Sequence, residues 1–174
     1  IIDATLELIE RDGFAAVHVS TVATAAGVSR QTVYSIFGTK EDLVSQAVIS
    51  VAGRALDEVK ARLAAIEGAG EYAAELLVAA RAVARRDPIF QALLQGGLGN
   101  PVFDEGMMAR ARPVAEAVLA PLRERSNALT DDAAFDDLVE LFTRLGLSVL
   151  LFDSDRLEDD DDLRAFTRRW LQLD

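Results

Sequence analysis

The stretch VATAAGVSRQTVYSIFGTKEDL, Val22 to Leu43, decides how the rest of this 174-residue chain is read. Small side chains at Ala23 and Ala26 allow two helices to approach closely, Gly27 supplies the turn between them, and Val28 fills the corner. Ser29 is placed to cap a following helix. That helix projects a polar run, Arg30, Gln31, Thr32 and Ser35, while Val33 and Phe37 face inward. Such a helix suits the DNA major groove, where Arg meets a guanine edge and Gln an adenine edge. By periodicity alone, a plain helical hairpin with a solvated polar face accounts for the stretch equally well. The order of Ala, Gly, Val and Ser at these spacings favours the helix-turn-helix.

Outward from this hairpin the pattern stays helical, with no sustained period-two alternation that would mark a sheet. A first helix is expected over Ile1 to Asp12 and ends at Gly13, where positive φ is needed. The hairpin helices span Val19 to Ala26 and Ser29 to Phe37. Thr39, three residues before Asp42, opens a long helix from Lys40 to Ile66 in the manner of a capping box with a shortened acid. Gly68-Ala69-Gly70 breaks the chain, and helices follow over Glu71 to Arg86 and Ile89 to Gln95. Gly96 to Pro101 reads as a loop. The helical pattern resumes from Val102 to Arg125, kinked or divided by Pro113 and Pro121. An apolar helix over Ala133 to Phe152, an acidic turn and a last helix to Leu171 complete an all-α chain. The expected division is a helix-turn-helix domain at 1–46 and a larger helical domain at 47–174.

Composition narrows the function. With no cysteine, thiolate metal sites, disulfides and cysteine nucleophiles are absent. A single histidine, His18, leaves no convincing catalytic or metal-ligating set, so no enzyme activity, metal or cofactor is expected. No apolar run approaches the roughly 20 residues of a membrane span, and a cytoplasmic protein is expected. The chain opens Ile1-Ile2-Asp3 without methionine and reads as part of a longer protein. Net charge is −11, which by itself argues against a phosphate backbone as partner. Residues 1–46 are acidic too, with Arg11, Arg30 and Lys40 against six carboxylates. Affinity would then rest on where a few cations sit, and non-specific binding should be weak.

The string AGVSRQTVYSIFGTKEDL, together with the opening IIDATLELIERDGF, resembles the TetR-type (tetracycline-repressor) family of bacterial transcriptional regulators over Ile1 to about Val48. The lactose-repressor-type family shares a similar VATAAGVSRQTV run. Tyr34, Phe37 and the continuation Thr39 to Leu43 follow the TetR pattern, as does the all-helical remainder. The resemblance implies that Arg30, Gln31 and Ser35 face bases and that Thr32, Tyr34 and Lys40 hold phosphates. Ser29 and His18, at the starts of the two hairpin helices, complete the DNA-facing set, with a solvent-facing cap as the simpler role for His18. Ile36 stands where the family often has His and removes one polar contact; Thr5 replaces the usual Ala. The partner that the resemblance implies is double-stranded operator DNA.

The resemblance also implies a ligand-binding and dimerisation domain in the remainder. A pocket for a small-molecule effector is expected among Phe90, Leu94, Phe103, Met107 and Phe142, with Arg81, Gln91, Arg110 or Thr143 as polar anchors. For a homodimer, Phe135, Leu138, Leu145 and Val149 would pair with Leu163, Phe166 and Trp170 about a two-fold axis. A protein partner in place of a small-molecule ligand is the alternative.

Overall fold

The computed structural model describes residues 1–94 and 106–171, with backbone alone at 93 and 94; every regular element among them is helical. Ten α-helices follow one another: α1 (Ile2–Asp12), α2 (Val19–Ala25), α3 (Arg30–Phe37), α4 (Lys40–Leu63), α5 (Ala69–Arg86), α6 (Pro88–Leu94), α7 (Met107–Leu119), α8 (Leu122–Arg125), α9 (Asp132–Leu151) and α10 (Asp160–Trp170). Short 3₁₀ turns occupy Phe14–Ala16 and Asn127–Leu129.

Helix ends follow local chemistry. Gly13 takes φ 76° and its N–H bonds Ile9 O, closing α1. The Asp87 carboxylate accepts from the N–H groups of Ile89 and Phe90 (2.8 and 3.2 Å), so α6 starts at Pro88, where a missing N–H costs nothing. Asp131 and Asp159 cap α9 and α10 in the same way, accepting from Ala134 N and Asp162 N.

Several boundaries differ from the sequence expectation. Helix α5 starts at Ala69, inside the glycine break: Tyr72 N–H bonds Gly68 O at 2.9 Å, and buried Ala69 joins the core. Helix α4 stops at Leu63 rather than Ile66. Pro113 lies within α7 without dividing it, because proline removes one backbone donor and does not by itself end a helix. Pro121 does stand at a division, between α7 and α8. The expected loop from Gly96 to Pro101 lies outside the described residues.

The chain forms two compact units. The first comprises Ile1–Arg54 and the chain from Arg85 through α6. Its core is built on Leu6, Ile9, Phe14, Val22, Val33, Leu43 and Val51, with Ile89 of α6. Thr5 is fully buried here, and its hydroxyl is satisfied by Ile1 O at 3.0 Å. The second unit comprises Ala55–Ala84 and the described residues from Gly106 on. Tyr72, Leu76, Leu119, Leu122, Phe135, Val139, Phe142 and Leu163 are buried in its core. Helix α4 contributes to both, so the sequence division at 46/47 falls inside it, before Ala47 and Val51 have joined the first core.

Candidate nucleic-acid interface

Three glycines with positive φ shape the hairpin region: Gly13, Gly27 and Gly38. At Gly27 (φ 67°) the chain leaves α2, and Val28 N–H reaches back to Ala23 O at 3.0 Å. Val28 then packs against the first core, as expected for a corner residue. Ser29 caps α3: its Oγ accepts from Thr32 N–H at 3.0 Å and lies 2.9 Å from Thr32 Oγ1. Both hydroxyls are therefore engaged in starting the helix. Along α3, Val33 and Phe37 turn inward, and Arg30, Gln31, Tyr34, Ser35 and Ile36 are exposed, Tyr34 at 54%.

The next helix is capped differently from the usual box. Asp42 N–H bonds Thr39 Oγ1 at 3.0 Å, and the Thr39 hydroxyl donates to the Asp42 carboxylate at 2.7 Å. The shorter acid thus meets the hydroxyl rather than the backbone of the capping residue. Lys40 is the first residue of α4, half-buried beside this cap. His18 precedes α2 with an exposed ring, and its backbone N–H donates to Thr21 Oγ1 at 3.1 Å.

These elements bring His18, Arg30, Tyr34 and Lys40 around one open cleft of about 390 Å³, with Val19 and Ser20 completing its wall. Ser20 was not foreseen as a site residue; its one signal is a hydroxyl in the first turn of α2. Among the described residues, neither Arg30 nor Lys40 pairs with a carboxylate. Arg11, by contrast, lies against Asp12 at 2.6 Å, and this hydrogen bond holds the Asp12 carboxyl below its ordinary range. Two of the three basic residues of the N-terminal segment thus converge on one surface, while the third is neutralised locally.

The residues expected to bind an effector are divided between the two units. Phe90 and Gln91 belong to the first unit; Arg81, Met107, Arg110, Phe142 and Thr143 belong to the second. Leu94 (beyond its backbone) and Phe103 lie outside the described residues. Arg81 is 3% exposed and donates to Leu157 O at 2.9 Å and Asp160 Oδ1 at 2.7 Å, pinning α5 to the start of α10. The Thr143 hydroxyl donates to Val139 O of its own helix, and Phe142 is buried in the core. Two expected anchors are therefore already engaged.

The residues of the expected dimer face differ in exposure. Phe135, Leu138 and Leu163 are buried in the core of the second unit, and Leu145 and Val149 pack against it. Phe166 and Trp170 remain exposed, at 39% and 70%, joined by Leu141 on α9 and Phe152 just after it. Each helix is amphipathic about its own core, and the sequence stripe mixed inward with outward positions.

A paired helical hairpin with a polar outer helix and converging cations defines a helix-turn-helix protein of the DNA-binding class. Residues 1–47 match the family model for bacterial regulatory proteins of the tetR family. The chain is 31% identical to the HTH-type transcriptional regulator AlkX of Mycobacterium tuberculosis over 154 residues, covering 85% of this chain and 72% of that protein. Among solved structures it resembles the TetR family repressor AlkX of Dietzia sp. strain DQ12-45-1b, implicated in biodegradation of n-alkanes, at 25% identity and a TM-score of 0.65. That match covers 97% of this chain and 89% of the other. It shares the fold of the multidrug binding protein EbrR, solved with imidazole, at 24% identity and a TM-score of 0.68, over 97% and 90% of the two chains. The chain belongs to the TetR family of transcriptional regulators, which bind DNA and are not enzymes. No helix among the described residues is long and apolar enough to cross a membrane.

Proposed function

We propose that this regulator is a cytoplasmic, homodimeric repressor that reads a palindromic operator and is released from it by a small-molecule effector. The observation that carries the DNA reading is the cleft shared by His18, Arg30, Tyr34 and Lys40 beside the exposed polar face of α3. Gln31 and Ser35 on that face, with Arg30, address base edges; Thr32, Tyr34 and His18 address the backbone. Ser29 holds α3 in its starting geometry. Lys40 adds its charge to the N-terminus of α4, where free N–H groups favour a phosphate.

A dimer places two such helices roughly 34 Å apart, one turn of duplex. The exposed Leu141, Phe152, Phe166 and Trp170 support pairing through the outer faces of α9 and α10. An effector bound in the second unit would act through α4, which begins at the DNA-facing Lys40 and ends at Leu63 in that unit's core. Control by a protein partner is the second reading. The internal engagement of Arg81 and Thr143, which leaves fewer polar anchors for a ligand, favours it.

Selection from a random duplex pool by the full chain tests the DNA reading. Recovery of an inverted repeat with half-sites about one helical turn apart is the expected result, and recovery of no common sequence would overturn it.

A further inference from the structure

Ile36 is a large aliphatic side chain, 58% exposed, on a helix whose other outward groups are polar or aromatic with a hydroxyl. A lone exposed isoleucine usually needs no explanation, and Ile49 on α4 is such a case at 67%. The position of Ile36 sets it apart. On a helix of 3.6 residues per turn, Val33 and Phe37 mark the inward side of α3 and Gln31 and Ser35 lie opposite. Arg30 and Tyr34 occupy one flank, and both line the cationic cleft. Thr32 and Ile36 occupy the other flank. Thr32 is half-buried with its hydroxyl against Ser29, so Ile36 is the exposed group there, and it belongs to neither hydrophobic cluster.

Resting on the DNA-binding reading above, we infer that Ile36 is a specificity-determining residue that packs on the 5-methyl group of a thymine in each half-site. A phosphate offers an aliphatic group nothing, whereas the thymine methyl is the apolar feature displayed by the major groove. Seating α3 with Tyr34 toward one backbone and Arg30, Gln31 and Ser35 on base edges turns the Ile36 flank toward the other side of the groove. Withdrawing one methyl from water there contributes about fourfold in affinity.

The test uses the full chain and the duplex it selects from a random pool. Each thymine of that duplex is replaced in turn by uracil, which lacks only the 5-methyl group. Affinity is read by fluorescence anisotropy for the wild type, Ile36→Val and Ile36→Ala, with thermal unfolding confirming that all three remain folded. The expected result is a symmetry-related pair of positions where uracil weakens wild-type binding about fourfold per methyl. Ile36→Val should keep most of that penalty and Ile36→Ala should lose it. An equal uracil penalty in all three proteins, or none at any position, overturns the inference and leaves the DNA reading intact. Failure to select any duplex overturns both.

Discussion

The surroundings of Arg30 and Tyr34 depart from the bulk charge of their segment. Residues 1–46 carry more carboxylates than cations, yet Arg11 is tied to Asp12 while Arg30 and Lys40 converge with His18 and Tyr34. Because Arg30 and Tyr34 are exposed and contribute nothing to the core, Arg30→Ala and Tyr34→Ala should each abolish measurable operator binding in an anisotropy titration. Their unfolding transitions should stay at the wild-type position. Normal binding by both would show that α3 is not the recognition helix. Lys40→Ala should weaken binding to all sequences alike and reduce the slope of log affinity against log salt by about one. The identities of these residues were legible in sequence, since the hairpin spacing fixes which side of α3 is outward. Their shared cleft with Ser20 was not, because it depends on how α2, α3 and the start of α4 meet.

Among the elements, capping chemistry controls where helices begin. Ser29→Ala should destabilise the folded chain by about 1 kcal/mol in chemical denaturation, since Thr32 N–H would lose its acceptor. In the second unit, the buried Tyr72 hydroxyl donates to Val118 O at 2.8 Å, near the end of α7. Carbonyls in a final turn have no helical donor, so Tyr72 supplies one. Burial raises the Tyr72 phenol above its ordinary value, against an opposing pull from Arg125. The neutral form is therefore favoured in the fold. Stability from this group is complete below the unfolded value of about 10 and is lost as pH rises beyond it. Tyr72→Phe should cost about 1 kcal/mol at neutral pH and flatten the alkaline loss of stability measured by denaturation above pH 10. A second charged tie holds α10: Arg164 forks onto both oxygens of Glu75 on α5, while Arg81 reaches Asp160. The helices themselves were legible from periodicity, but these long-range ties join residues far apart in the chain and left no local signal.

For the molecule as a whole, the question is which apolar groups serve the core and which serve a partner. Phe135 and Leu163 are buried, whereas Trp170 is 70% exposed. Phe135→Ala should cost about 3–5 kcal/mol in thermal or chemical unfolding. Trp170→Glu should leave that stability nearly unchanged and convert the proposed dimer to monomer in sedimentation experiments. If Trp170→Glu remained dimeric, the pairing surface would have to lie away from this part of α10.

The sequence by itself determined the all-helical class, the hairpin, its outward side chains and the family, because these rest on short-range spacing: a turn glycine, a cap and a 3.6-residue period. Only the tertiary structure decided that α4 serves both units and that Arg81 and Thr143 are internally engaged. It likewise decided that Phe166 and Trp170, rather than Phe135 and Leu163, stay exposed. Those outcomes depend on which face of each helix meets its neighbours. A stripe read along one helix shows that a face is apolar, but not whether its cover comes from the same chain.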